Sequence, residues 1–475
     1  MNPFRNAITQ IDTLQTATVR GRVHSLTGLA IIANDLPAPH GALVRIDSRE
    51  GPKLAEVVAF DGPRPHVHPL DSHAGLGPAA PDTILPPTPA VNAGPQLLGR
   101  IINGLGLPID DKTLPSTLTP QPLHPKPISA FDREPITEQL TTGVRAIDTM
   151  TAVGKGQRLG IFAGPGVGKS TLLGMIARSA QTDGGADVNV IALIGERGRE
   201  VKDFINHALG PEGLERSVVI VATSDQSPVL RLRAANTACA VAEHFRERGK
   251  DVMLMLDSVT RYAHAQRQVG LAAGEPPATR GYTPSVFAGL SVLLERAGTL
   301  SPQQNQRPGT ITAFYTVLVE GDDMTEPVAD AARGILDGHI VLDRKIAQAG
   351  RFPAIDVLDS VSRVAPEITA PNHQRARQSI TSLLAEYRDV EELIRIGAYA
   401  PGSSPITDTA VEYRERIEAI LRQHATEISP ARNAIDELIA TAAAAEADTQ
   451  RRKASNGPGQ KPQARPNPLA AGART

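Results

Sequence analysis

The sequence predicts a multidomain α/β protein with a small N-terminal β-barrel, a central α/β domain built on a mainly parallel sheet, and a C-terminal helical domain. Three observations predict it. Short apolar runs broken by Gly, Pro, Asn and Asp fill residues 15–90, the texture of short strands joined by turns. Continuously apolar runs of strand length alternate with helix-length segments between residues 157 and 320, as in a parallel sheet covered on both faces. Beyond residue 370, apolar and charged positions interleave near the 3.6-residue helical period.

The barrel is assigned to residues 1–95, where LAII, ALVRI and LAEVVAF supply strands. Residues 96–130 read as a Pro-rich linker or framing loop, because proline lacks the amide donor and resists helix. They open a central domain that runs to residue 370. Its apolar runs are RLGIFA, VNVIALIG, VVIVA, VMLMLD, LSVLL and TITAFYTVL, while TLLGMIARSA and SPVLRLRAANTACAVAEHFRERG have helical length and spacing. The helical domain is assigned to residues 371–448. From Thr449 to Thr475 the chain carries six basic residues, no acidic one and much Pro, Gly and Gln, so a disordered tail is expected.

Composition narrows the function classes. Lys and Arg number 49 and Asp and Glu 51 in 475 residues, a net charge of −2 that gives the whole molecule no electrostatic case for nucleic acid or anionic lipid. Nine Phe, six Tyr and no Trp leave few rings for base stacking. The single cysteine, Cys239, lies in the apolar run ANTACAVA and reads as inert packing. No apolar run approaches the roughly 18 residues of a membrane span, and MNPFRNAITQ lacks a signal-peptide core, so a soluble intracellular protein is expected.

The strongest local signal is Gly164, Pro165, Gly166, Val167, Gly168, Lys169, Ser170, Thr171, between the strand RLGIFA and the helix TLLGMIARSA. Phosphate chemistry explains each residue type. Glycines let backbone amides converge on a phosphate, and the helix that follows presents its positive end. Lys169 reaches the β- and γ-oxygens of a bound triphosphate, and the Ser170 hydroxyl is offered to Mg²⁺. Position 163 is Ala where the strict motif has Gly.

Such a loop specifies a nucleotide without specifying a reaction; other strand ends must supply the rest. VMLMLD delivers Asp257 to the sheet's carboxyl edge, where it can hold a water of the Mg²⁺ shell or merely cap the helix SVTRYAHAQ. VNVIALIG leads to Glu196 within GERGRE, at the same edge. A glutamate there can polarise a water for attack on the γ-phosphorus, whereas one flanked by Arg197 and Arg199 on an ordinary surface would be an ion-pair cluster. Its position at a strand end favours the former.

These residues carry a family resemblance. REPITEQLTTGVRAIDTMTAVGKGQRLGIFAGPGVGKST, IALIGERGREVKDF, MLMLDSVTRYAHAQR, GYTPSVFAGL and FPAIDVLDSVSRV together resemble the catalytic subunits of rotary ATPases and their protein-export relatives, from about residue 18 to 440. The resemblance implies a RecA-like P-loop domain between the barrel and the helical domain, and six subunits in a ring with Mg-ATP at their interfaces. By motif it makes Lys169 and Ser170 phosphate-loop residues, Glu196 the water-activating carboxylate and Arg197 a γ-phosphate contact. Glu200 and Asp257 would help hold the magnesium shell, and Phe352 in RFPAID would stack on adenine. Arg363 in SVSRV matches the arginine finger that reaches into the neighbour's site.

Finger and catalytic glutamate reside on one chain, which the resemblance makes the mark of a homohexamer. GDDMTEPVADAARGILDGHIVLDRKIA, Ala163 and Ser170 are similar to the export ATPases of flagella and injectisomes, and YRDVEELIRIGAYAPGSSP looks more flagellar. The resemblance then implies protein-substrate export, chaperones, stalk and regulator partners, GEPPATRGYTPSVF at the ring pore, and a cytoplasmic enzyme peripheral to the membrane export gate. TLSPQQNQRPG, residues 299–309, looks longer than the family's usual turn and is expected to form a disordered excursion.

Other classes fit less well. A ring helicase or RNA translocase needs basic and aromatic binding faces, yet residues 1–95 hold seven Lys or Arg against eight Asp or Glu, with Phe4 and Phe60 the only aromatics. A non-catalytic nucleotide-binding subunit would not need Glu196, and an injectisome enzyme remains the alternative to a flagellar one. His66, His68 and His73 read as a polar loop ahead of a metal site.

Overall fold

The computed structural model describes residues 19–85, 89–179, 184–301, 309–319, 321 and 323–455. Among these, β1 (Arg20–Thr27), β2 (Ala30–Asn34), β3 (Leu43–Ser48), β4 (Gly51–Asp61), β5 (Arg64–Pro69) and β6 (Pro81–Ile84) close a barrel in the order β1-β2-β5-β4-β3-β6. Alternation along the strands turns Val23, Ile31, Val44, Ile46, Val57 and Val67 inward to fill it. The three histidines do not share a polar loop. His66 and His68 lie on β5, on the face opposite Val67, and His68 is only 2% exposed. The alternation of PHVHP, which the flanking prolines obscure, is what makes this segment a strand.

Residues 96–130 also differ from the expected linker. β7 (Ala90–Ala93) pairs with β9 (Thr119–Pro122), and β8 (Arg100–Asn103) joins the central sheet beside the strand Ser217–Ala222. The run RIIN contains no proline, so its amides are free to make the ladder that the surrounding Pro-rich segments cannot.

The central sheet also takes β12 (Arg158–Ala163), β13 (Val188–Ile194), β14 (Ser217–Ala222), β15 (Asp251–Asp257), β17 (Thr310–Leu318), β18 (Gly338–Leu342) and β19 (Ile355–Ser362). β10 (Gln139–Leu140) and β11 (Val153–Gly154) form a separate small ladder, and β16 (Gly298–Thr299) pairs with β17. The order is β19-β18-β12-β17-β15-β13-β14-β8, parallel from β18 to β8, with β19 antiparallel at the edge. Every residue of β13, β14 and β15 is buried, as a sheet covered by helices on both faces requires.

LSVLL is not a strand; it lies within the helix Pro284–Leu294. Proline at the first helical position presets the turn there, and the apolar run is long enough to be a buried helix. The excursion expected at residues 299–309 falls largely outside the described residues: Thr299 and Thr310 are paired across it.

Three helices, Pro371–Arg395, Pro405–Leu421 and Ala431–Ser455, fall where the 3.6-residue pattern puts them. The chain divides into two compact units, residues 1–369 with 423–431, and residues 370–422 with 432–475. The last helix continues to Ser455, so the tail expected from Thr449 begins seven residues inside it, where Arg451, Arg452 and Lys453 suit a helix C-terminus. Residues 456–475 lie outside the described residues. Among the described residues no helix is long and apolar enough to cross a membrane.

Candidate active site at the phosphate loop

β12 ends at Ala163, and residues 164–168 turn into the helix Lys169–Ser179. Gly166 and Gly168 have φ of 78° and 97°, a left-handed backbone that a side chain would strain. Pro165 and Gly166 are exposed, Val167 is tucked under the loop at 2% exposure, and the Ser170 and Thr171 side chains are exposed on the first helical turn. This is a helix N-terminus with its amides open toward solvent, the arrangement that binds anions.

Sheet order brings the carboxylates to it. β17 lies between β12 and β15, and β13 follows, so the ends of these strands line one edge. Asp257 closes β15 at 3% exposure, and Glu196 follows β13 after Gly195, whose φ of 70° makes the turn. Lys169 Nζ reaches both, at 2.5 Å from Asp257 Oδ1 and 3.5 Å from Glu196 Oε1. Burial opposes the Lys169 charge, yet the two carboxylates outweigh it and hold its pKa above the usual lysine value. Burial pushes the Glu196 carboxyl upward; Lys169 pulls against that, while Asp257 and a hydrogen bond that the protonated carboxyl donates to Glu200 add to it.

Glu196 Oε1 is buried and has no hydrogen-bond partner. A carboxylate oxygen left open in such a place fits a water or ligand donor. Phe352, 48% exposed, borders the loop: a Cβ added to Gly168 would lie 4.0 Å from its ring, and its carbonyl accepts the Gln423 N–H at 2.9 Å.

Two expected residues stand elsewhere. Arg197 precedes the helix Gly198–Asp203, with its side chain 77% exposed and paired to Glu200 at 3.3 Å, and it does not join the Lys169 cluster. Arg363 follows β19, which runs antiparallel to β18. Ser362 pairs with Gly338, whereas the phosphate-loop end of the sheet is marked by Leu342 opposite Ala163. Those four residues of strand put Ser362 about 13 Å toward the opposite edge, and Arg363, bonded to Asp337, one residue further.

Two residues not named from the sequence complete the chamber. Thr316 Oγ1 donates to Asp257 Oδ1 at 2.7 Å, and Arg261 Nη2 lies 4.0 Å from Glu196 Oε2. Thr316 is a polar residue in an apolar strand, and Arg261 is one turn beyond the strand end, so both carried a faint signal. No group of three His, Cys, Asp or Glu among the described residues is placed to enclose a metal.

The ATP synthase alpha/beta family nucleotide-binding domain matches residues 143–362, and the T3SS EscN ATPase C-terminal domain matches residues 369–440. A flagellum-specific ATP synthase of Bacillus subtilis is 49% identical over 406 residues, covering 85% of this chain and 90% of that protein. A type 3 secretion system ATPase of Xanthomonas euvesicatoria is 44% identical over 431 residues, covering 90% and 95%. The assembled ATPase EscN of the enteropathogenic E. coli type III secretion system superposes with a TM-score of 0.81 at 42% identity, over 89% of this chain and 100% of that one; EscN has also been solved with its central stalk EscO. The chain belongs to the type III export ATPases of the ATP synthase alpha/beta family, and it is an ATPase.

Proposed function

We propose that the chain hydrolyses ATP with Mg²⁺ at interfaces between copies of itself, in a homohexameric ring that drives or primes export of flagellar proteins. The observation that carries the reading is Glu196 Oε1: buried, without a hydrogen-bond partner, and 3.5 Å from the phosphate-loop ammonium. Binding a nucleotide does not need a carboxylate there, whereas activating water does. Lys169 neutralises charge on the transferred phosphoryl group, Arg197 joins it by turning from its pairing with Glu200, and Phe352 stacks on the base. The Ser170 hydroxyl with Asp257 and Glu200 is a donor set for a hard cation that keeps most of its water. Bound there, Mg²⁺ would supply positive charge against the phosphate oxygens.

Arg363 lies too far along the sheet to serve its own site, so its guanidinium is assigned to the next copy. EscN, a 42%-identical relative solved in assembled form and with a stalk, supports a ring and a stalk partner for this chain. The greater identity to the flagellum-specific relative than to the secretion relative, 49% against 44%, favours the flagellum over an injectisome. Regulator proteins, chaperones, exported substrates and peripheral attachment at the cytoplasmic face of the export gate complete the reading.

Phosphate release by the purified chain, followed with and without Mg²⁺ across the concentrations at which the ring forms, tests it. Activity should require the metal and rise with assembly. Nucleotide binding without release would leave a non-catalytic subunit. Capture of needle-complex rather than flagellar components from cells would move the assignment to an injectisome.

A further inference from the structure

The root of Arg363 is fastened to the strand that carries the phosphate loop. Gln157, immediately before β12, is fully buried, and its amide is used on every side. Oε1 accepts the Gly154 N–H at 2.9 Å, while Nε2 donates to Ser362 Oγ at 3.1 Å and to the Asp337 carbonyl at 3.3 Å. That same carbonyl accepts the backbone N–H of Arg363 at 3.0 Å. The Asp337 carboxylate is held in turn by Arg158, through its backbone N–H at 3.0 Å, Nε at 3.0 Å and Nη2 at 2.9 Å.

Two consecutive residues at the head of β12 thus hold Ser362 directly and Arg363 through Asp337. Gln157 itself is far from the phosphate loop, six residues or about 20 Å of strand away, so it has no part in binding this chain's own nucleotide. We infer that Gln157 is a positioning residue for the guanidinium that Arg363 delivers to the neighbouring copy, an inference that rests on the in-trans reading of Arg363. A long side chain stabilises a transferring phosphoryl group only if its backbone root is fixed, because a displacement of about 1 Å at such a group costs on the order of 10²-fold in rate. Glutamine suits this position because its amide supplies both donors and the acceptor, whereas glutamate of the same shape loses the donors.

The test is a double-mutant cycle in the full-length chain, with Gln157→Glu, Ser362→Ala, Arg363→Ala and the pairwise combinations. Gln157→Glu should lower kcat at ring-forming concentrations by about 10-fold or more, leaving KM for ATP within about two-fold. Ser362→Ala should lower kcat by a few-fold, and both changes should be silent once Arg363 is Ala. Nucleotide binding by the isolated subunit should be unchanged. Losses that multiply with that of Arg363→Ala, or a matching loss of subunit nucleotide affinity, would overturn the inference while leaving the finger intact. Full turnover in Arg363→Ala would instead remove the finger reading, and the role of Gln157 with it. Should Gln157→Glu fail to fold, the Ser362→Ala and Arg363→Ala cycle decides alone.

Discussion

The Lys169 ammonium rests on Asp257 Oδ1 at 2.5 Å, and Thr316 Oγ1 donates to the same oxygen at 2.7 Å. Glu196 is the looser partner of the same ammonium at 3.5 Å. Neutralising Glu196 therefore leaves the main pair in place. Glu196→Gln should keep the nucleotide Kd within about three-fold and lower turnover by at least about 10², the lower end of what a general base contributes. Binding of a fluorescent nucleotide and steady-state phosphate release measure the two quantities, and wild-type turnover would take Glu196 out of the base role.

Arg363 and Lys169 belong to opposite edges of one sheet, so their loss should behave differently. Arg363→Ala should lower ring turnover by about 10³ or more, the range measured for such fingers, while the isolated subunit still binds nucleotide. Equal mixtures with Glu196→Gln subunits should regain activity, because some interfaces then pair an intact glutamate with an intact finger. A mixture no more active than its components would place Arg363 outside the neighbour's site.

The raised pKa of Glu196 should set the acidic limb of the rate profile. Burial is the main cause, Lys169 opposes it, and Asp257 and Glu200 reinforce it. A general base has to be ionised, so in the proposed role of Glu196 activity should be lost as pH falls through that raised value. The limb in kcat/KM should lie above the range of an ordinary glutamate, and Glu200→Gln should move it to lower pH in the activity that remains. An unmoved limb would separate Glu200 from the titration.

His68 makes the barrel acid-sensitive. Burial, with His66 beside it, lowers its pKa to about 4 from an unfolded value near 6.5. Between those values the unfolded chain takes up a proton that the folded chain refuses, so stability is complete above about pH 6.5 and declines as pH falls toward 4. The full span is worth up to about 3 kcal/mol. Urea unfolding of the wild type and of His68→Gln at pH 7 and pH 5 should show a shallower loss in the variant; equal losses would assign the slope to other groups.

The phosphate loop, Asp257 and Glu196 are legible in the sequence because each depends on a local pattern: an apolar strand followed by a turn and a polar residue. Parallel strands then carry all of them to one edge. LSVLL passes for a strand because a short apolar run has no period of its own, and β8 is hidden by the prolines around it. Gln423 leaves no trace in the sequence. Its side chain binds the Gly143 carbonyl and the Arg145 N–H, 280 and 278 residues away, and only tertiary structure brings those groups together. Arg197 is placed by motif alone, whereas its side chain is oriented by the nearer attraction of Glu200.

The return of residues 423–431 to the first compact unit governs how the molecule is dissected. A fragment cut after Thr369 would forfeit Gln423, and with it the amide that grips the Phe352 carbonyl and the side chain that fastens Gly143. Such a truncate is not an isolated catalytic head; its Phe352 ring would hang from an unanchored loop. A shortened enzyme with a sound nucleotide pocket has to splice this nine-residue stretch back in across a linker.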